Sequence, residues 1–134
     1  MREIKFRAWD KKHNRMKSVE ELDFAYYATI PKAPQGMITD IWLNGESKSY
    51  FPSEIELLEY TGLKDKNDEE IYESDILTWP NAAIPDKEIV FFEDGAFCVR
   101  SSSDGYKHFL GKDKLNICCK KIGNIYENPE LLEK

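Results

Sequence analysis

Three cysteines, two histidines and a dense set of carboxylates are the residues here whose types could do chemistry. Cys98, Cys118, Cys119, His13 and His108 are the side chains that could bind zinc. They include no C-x2-C pair, and adjacent cysteines on an extended chain point to opposite faces. One of Cys118 and Cys119 is therefore expected in the core and the other outside. A nucleophilic Cys98 paired with His108 is the next candidate. Cys98 lies in an apolar run, where a free thiol behaves as a small hydrophobic residue. Asp65, Asn67, Glu69 and Glu73 are spaced somewhat like a calcium loop. That loop needs Gly at its sixth position and Glu at its twelfth, and those positions hold Glu70 and Ile76. No nucleophile elbow, phosphate loop or dinucleotide fingerprint is present. The expectation is a protein that is not an enzyme, with no metal, no cofactor and no catalytic residue.

Charge and aromatic residues are the remaining candidates. The net charge is −6, which argues against broad binding to nucleic acid. The charge is uneven, however. Residues 1–17 carry Arg2, Lys5, Arg7, Lys11, Lys12, Arg15 and Lys17 against Glu3 and Asp10, a net of +5. Residues 53–75 carry nine acidic residues against Lys64 and Lys66, a net of −7. These runs read first as solvated or mutually paired faces. The sharper reading makes the seven basic residues a grip for nucleic acid. Glu73 and Asp75 are two apart on an expected strand and so share a face. They read as acceptors for turn amides or as partners for nearby Lys and Arg. Tyr26, Tyr27, Trp42, Tyr50, Phe51 and Trp79 are the aromatic residues that would either fill a core or anchor a partner.

The elements that must position these residues are short strands. Ile4, Phe6 and Ala8 alternate with Lys5, Arg7 and Trp9, which predicts a half-buried strand. Asp10 to Asn14 reads as a turn, and Arg15 to Val19 as the returning arm of an N-terminal hairpin. Residues 20–30 fit either a strand face (Leu22, Phe24, Tyr26, Ala28) or a short helix (Leu22, Ala25, Tyr26). Pro31 to Gly36 is a loop. Met37 to Leu43 reads as a strand, and Asn44-Gly45 is a hairpin signal, with Glu46 to Pro52 as its returning arm or a loop. Ile55 to Gly62 and Ile71 to Trp79 read as two further strands around a turn at Lys64 to Asp68. Glu88 to Phe92 and Ala96 to Arg100, joined at Asp94-Gly95, form the clearest hairpin. Lys107 to Lys112 is strand or loop. Leu115 to Cys118 and Lys121 to Tyr126 close the sheet. Asn128 and Pro129 then suit the N-cap and first position of a helical turn.

Short strands with turn signals between them predict a mainly β fold. The architecture expected is a small barrel-like or strongly bent antiparallel sheet, with an N-terminal hairpin and little helix. A β-rich α+β arrangement is the alternative. The length of 134 residues fits a single domain, 1–134. Within it, residues 1–53 form the hairpin and a variable region, and 54–134 a barrel-like core. The odd cysteine count implies no disulfide framework, and so a reducing cytoplasm. The opening residues lack a leader's apolar run, and no apolar stretch is long enough to span a bilayer, so no membrane association is expected.

The run from Tyr60 to Leu77, YTGLKDKNDEEIYESDIL, resembles the signature of the YopX-like proteins of phages and prophages. The closing run GNIYENPELL, Gly123 to Leu132, resembles a second signature of that family. Phe6-Arg7-Ala8-Trp9-Asp10 and Asp94-Gly95-Ala96-Phe97 are similar to its opening and central hairpin. The resemblance implies a phage or prophage gene and a bacterial cytoplasm. The lack of a catalytic constellation beside abundant Tyr and Trp leads to the expectation of a host or phage protein as partner, with a homo-oligomer as a further expectation. It implies no catalytic residue to carry over. It also implies glycine at two positions where this chain has Asp68 and Ser74, and so two turns that retain their shape under some strain. The leading expectation is a non-enzymatic protein-interaction module. The alternative is a nucleic-acid-associated protein using the basic N-terminal strand.

Overall fold

The structure, a computed structural model, describes residues 3–19, 38–43, 46–50, 54–80, 86–111 and 118–133, with backbone alone for 38–43 and 46–50. The chain is mostly β and carries a strongly curled, half-barrel antiparallel sheet, with no α-helix among the described residues. It divides into two compact units. One is Lys5–Leu58; the other joins Met1–Ile4 to Glu59–Lys134.

In Lys5–Leu58, β1 (Phe6–Asp10) and β2 (Arg15–Val19) form the expected hairpin, with Phe6 opposite Val19 and Asp10 opposite Arg15. Asp10 is the last strand residue and is fully buried, although the sequence reads it as turn. The reason is its carboxylate, which organises the turn that follows. Oδ1 accepts the amides of Lys12 (3.0 Å) and His13 (3.1 Å), and Oδ2 meets His13 Nδ1 at 2.8 Å. Ala8 and Trp9 are both buried, so β1 is covered on both faces and not on one. Ile4, expected on the apolar face, precedes the strand and is exposed. β3 (Ile38–Leu43) and β4 (Glu46–Tyr50) pair antiparallel with Leu43 opposite Glu46, and Asn44-Gly45 lies outside the described residues. Residues 20–30 and the loop 31–36 lie outside the described residues.

β5 (Ile55–Lys64) begins in the first unit and ends in the second. Its far half pairs with β6 (Glu70–Tyr72), Tyr60 opposite Tyr72 and Lys64 opposite Glu70, with a bulge between. The strand therefore passes through Gly62, where the sequence reading ended it. The expected single strand from Ile71 to Trp79 is two strands, β6 and β7 (Asp75–Thr78). Ser74 breaks it by adopting a left-handed backbone, φ 71°. Its amide donates to Val90 O (2.8 Å), and its carbonyl accepts from Ile125 N (3.0 Å).

The second unit is built on a five-stranded sheet of order β10-β9-β8-β7-β11. Its other members are β8 (Lys87–Glu93), β9 (Ala96–Ser101), β10 (Lys107–Phe109) and β11 (Lys120–Asn124). β8 and β9 meet with Glu93 opposite Ala96, and the two residues between them, Asp94 (φ 52°) and Gly95 (φ 81°), are both left-handed. That is the primed turn whose twist suits a hairpin, and the Asp-Gly pair is its sequence signature. Ile71, Leu77, Val90, Val99, Leu110 and Cys119 form the core, with Leu63 and Trp79 packed against it. The chain closes on a 3-10 turn at Pro129–Leu132. Asn128 makes no side-chain cap there; its Oδ1 instead accepts Asn124 N at 3.2 Å.

Candidate functional site

The basic N-terminal residues do not gather on one face. Residues opposite each other in a hairpin share a face. Lys17 (opposite Ala8) and Arg15 (opposite Asp10) therefore lie on one side, and Arg7 (opposite Ser18) on the other. Lys11 and Lys12 are in the turn, and Lys5 precedes β1. Arg2 lies outside the described residues. Lys11 is paired to Glu56 at 3.0 Å, and Lys17 reaches Asp10 at 3.4 Å. Burial alone would raise the Asp10 carboxyl. The His13 and Lys17 donors outweigh that and hold it at about 2.

Asp65, Glu73 and Asp75 of the first signature accept backbone amides. Asp65 accepts Asn67 N (2.8 Å) and Glu69 N (2.9 Å) on one oxygen and Lys121 N (2.9 Å) on the other. Burial opposes ionisation of that carboxyl, but these three donors bring it below the ordinary carboxylate range. Asp75 accepts Tyr72 N at 2.7 Å and lies 3.8 Å from Lys121 Nζ. Glu73 accepts Glu59 N at 2.9 Å, and burial pushes its carboxyl up. Glu73 and Asp75 thus serve as turn acceptors. They flank a turn and do not share a strand face, because Ser74 separates β6 from β7. The loop at 65–69 is not a two-residue hairpin turn, since only Asp68 (φ 63°) is left-handed there. Asn124 Oδ1 accepts Tyr126 N (3.0 Å) and Glu127 N (2.8 Å), organising the second signature in the same manner.

The cysteines divide as their adjacency implies: Cys119 is buried and Cys118 exposed. Burial pushes the Cys119 thiol up to about 12, which makes it a poor nucleophile. Cys98 stands opposite Phe109, one residue out of step with the Val99–His108 pair. Cys98 and His108 therefore face opposite sides of the sheet and cannot act together.

β8, β9 and β10 carry the features that sequence reasoning missed. On one face, Phe91, Cys98 and Phe109 form a row, and Arg100 stacks over the Phe91 ring at 4.8 Å with Lys107 at 5.9 Å. Phe109 is 59% exposed, Tyr106 68% and Phe92 50%. Phe92 meets Phe97 edge-on at 5.0 Å. A strand-face count would have placed Phe109 outward, opposite the inward His108. The aromatic residues named from sequence fare differently. Trp79 packs on the core. Tyr26, Tyr27 and Phe51, and the side chains of Trp42 and Tyr50, lie outside the described residues.

The opposite face holds a polar pair among core residues. Val90 pairs with Val99, and Val99 with His108; Glu88 pairs with Ser101. Glu88 therefore projects to the same side as the buried valines. Its Oε2 lies 3.5 Å from His108 Nε2. The His108 ring has Trp79 edge-on at 6.0 Å and Tyr106 at 6.2 Å. Nearby, Asp86 accepts the hydroxyls of Ser101 and Ser103, the latter at 2.9 Å. Burial first, then the charges of Asp86 and Asp104, lifts the Glu88 carboxyl to about 7. The readable signal for this pair was Glu88-Ile89-Val90, which sets an acid at an inward position two residues from a core valine.

Comparison with known proteins places this geometry. The family model described as YopX protein matches residues 5–133. The chain is similar to protein EF1440 from Enterococcus faecalis, known from its crystal structure, at 27% identity and TM-score 0.60, covering 99% of this chain and 100% of that one. It is also similar to protein yopX from Bacillus subtilis, solved by X-ray crystallography, at 22% identity and TM-score 0.61, covering 100% and 98%. That second likeness concerns the fold alone. No curated protein matches the chain. Among the described residues no helix is long and apolar enough to cross a membrane.

Proposed function

The chain belongs to the YopX family, and from that premise we propose that it is a protein-interaction module and not an enzyme. The observation that carries this reading is the exposure of large aromatic residues around β8–β10: Phe109 beside Arg100 and Lys107 on one face, Phe92 on the other, and Tyr106 just before β10 against the His108 ring. Large aromatic residues and arginine are the residue types that dominate binding energy at protein interfaces. Exposing them to water has no folding benefit. Asp65, Glu73 and Asp75 support the non-enzymatic reading, because their carboxylates are engaged by backbone amides. The partner is a host or phage protein in a bacterial cytoplasm, or a second copy of the chain.

The test is affinity capture of the tagged chain from induced host lysate, with and without nuclease, beside a Tyr106→Ala/Phe109→Ala variant. A protein that survives nuclease, is retained by the parent and is lost by the variant is the expected result. Both changes are at exposed positions, so the variant should melt with the parent. Capture that disappears with nuclease would overturn the reading in favour of the basic residues.

A further inference from the structure

Buried carboxylate oxygens normally have a hydrogen-bond donor. Glu88 Oε2 is buried and has none among the described residues. His108 Nε2, at 3.5 Å, is too distant for a good hydrogen bond but close enough for strong electrostatic coupling. The two side chains come from different strands. Glu88 is on β8, and His108 is the middle residue of β10, which pairs with β9 through three residues at the end of the sheet order. The pair thus reaches across β9 and ties its outermost strand to the middle of the sheet.

We propose that Glu88 and His108 share one proton that fastens β10 to the sheet, and that losing this proton loosens β10. With the proton in place the pair is either a carboxylic acid beside a neutral imidazole or a carboxylate beside an imidazolium. Either form has no net charge. When the proton leaves to solvent, a carboxylate remains whose buried Oε2 has no donor among the described residues. The charged groups facing it are Asp86, before β8, and Asp104, in the turn between β9 and β10. Both are acidic. Cys119, also within its electrostatic reach, is held as the neutral thiol. Lys121, on β11, is committed to Glu70 O and Asp75 and does not offset the charge. Ser101, directly opposite Glu88, gives its hydroxyl to Asp86. Among the described residues these neighbours therefore oppose the deprotonated state or are occupied elsewhere.

The sign follows from linkage. A carboxyl whose folded value lies above its unfolded one contributes stability that is complete below the unfolded value, here 4.5, and is lost as pH rises through about 7. The loss should be local, because β10 is short and terminal in its sheet. The inference concerns β10 itself and holds whether or not its surface binds a partner.

Amide hydrogen exchange of the intact chain, corrected for intrinsic rate, tests it between pH 5.5 and 8.5. The protection of amides in Lys107–Phe109 should fall about tenfold across neutrality, one pKa unit's worth of linkage, while Val90 and Leu77 amides hold. In Glu88→Gln, which is neutral throughout, the fall should vanish. Protection that is flat in the parent, or a fall that persists in Glu88→Gln, would overturn the proposal. Should Glu88→Gln not fold, Asp104→Asn serves. Removing that charge should shift the midpoint to lower pH, and an unmoved midpoint is equally fatal.

Discussion

Ser74 and Asp68 hold left-handed backbone with side chains that disfavour it, at φ 71° and 63°. A Cβ in that region clashes with the following carbonyl, and the short polar side chain of Asp eases the cost more than that of Ser. Ser74→Gly should therefore stabilise the protein by about 1 kcal/mol, read as a rise in the urea midpoint at constant slope. A decrease would mean that the Ser74 side chain contributes more than its backbone strain costs. Around these two residues the acids and Asn124 act as turn organisers. Each replaces backbone partners that an extended chain would leave unmade. Asp65 alone holds amides from Asn67, Glu69 and Lys121. Glu88 differs because the described residues around it supply no donor for Oε2.

At the scale of the element, β11 shows how a strand end is secured. Gly123 sits where any Cβ would meet Asn128 Oδ1 at 2.5 Å and Asn128 Cγ at 2.8 Å. The same Asn128 Oδ1 accepts Asn124 N. Gly123→Ala must push that amide aside and break its bond, so it should cost about 1–3 kcal/mol in chemical denaturation. A loss under a few tenths would show that Asn128 relaxes freely. The hairpins obey the opposite economy. β8–β9 needs only its Asp94-Gly95 turn and its alternation, and both stand in the sequence. β6 and β7 look like one apolar run from Ile71 to Trp79, yet they belong to different sheets. The break at Ser74 depends on bonds to Val90 and Ile125, which are distant in sequence.

At the scale of the whole chain, the charge of −6 sets what it can approach. A polyanion gains affinity from clustered cations through counterion release. Here Lys11 and Lys17 are already paired to Glu56 and Asp10, and Arg7 and Arg15 face opposite ways. Single- and double-stranded oligonucleotides should therefore show no retardation by the purified chain, even at low salt. Binding that weakens steeply with salt and is lost in a Lys12→Glu/Arg15→Glu variant would reverse that reading. A protein partner needs only the aromatic residues of β8–β10, whose contribution does not depend on net charge.

Alternation, the Asp-Gly pair and prolines were enough to establish from sequence a mainly β chain, its N-terminal hairpin, the 93–96 connection and the closing turn at Pro129, while Asn44-Gly45 signalled a hairpin whose returning arm the sequence left open. These are local signals, carried by steric preferences within a few residues. The signature motifs from Tyr60 and from Gly123 identified the family by the same local route. Tertiary structure alone decided that Asp10 is buried, that one apparent strand splits at Ser74, and which aromatic residues face outward. It also decided that Glu88 and His108, twenty positions apart, stand side by side. Each of those depends on which strand lies next to which, and pairing between distant segments is set by packing of the whole sheet, not by any window of the chain.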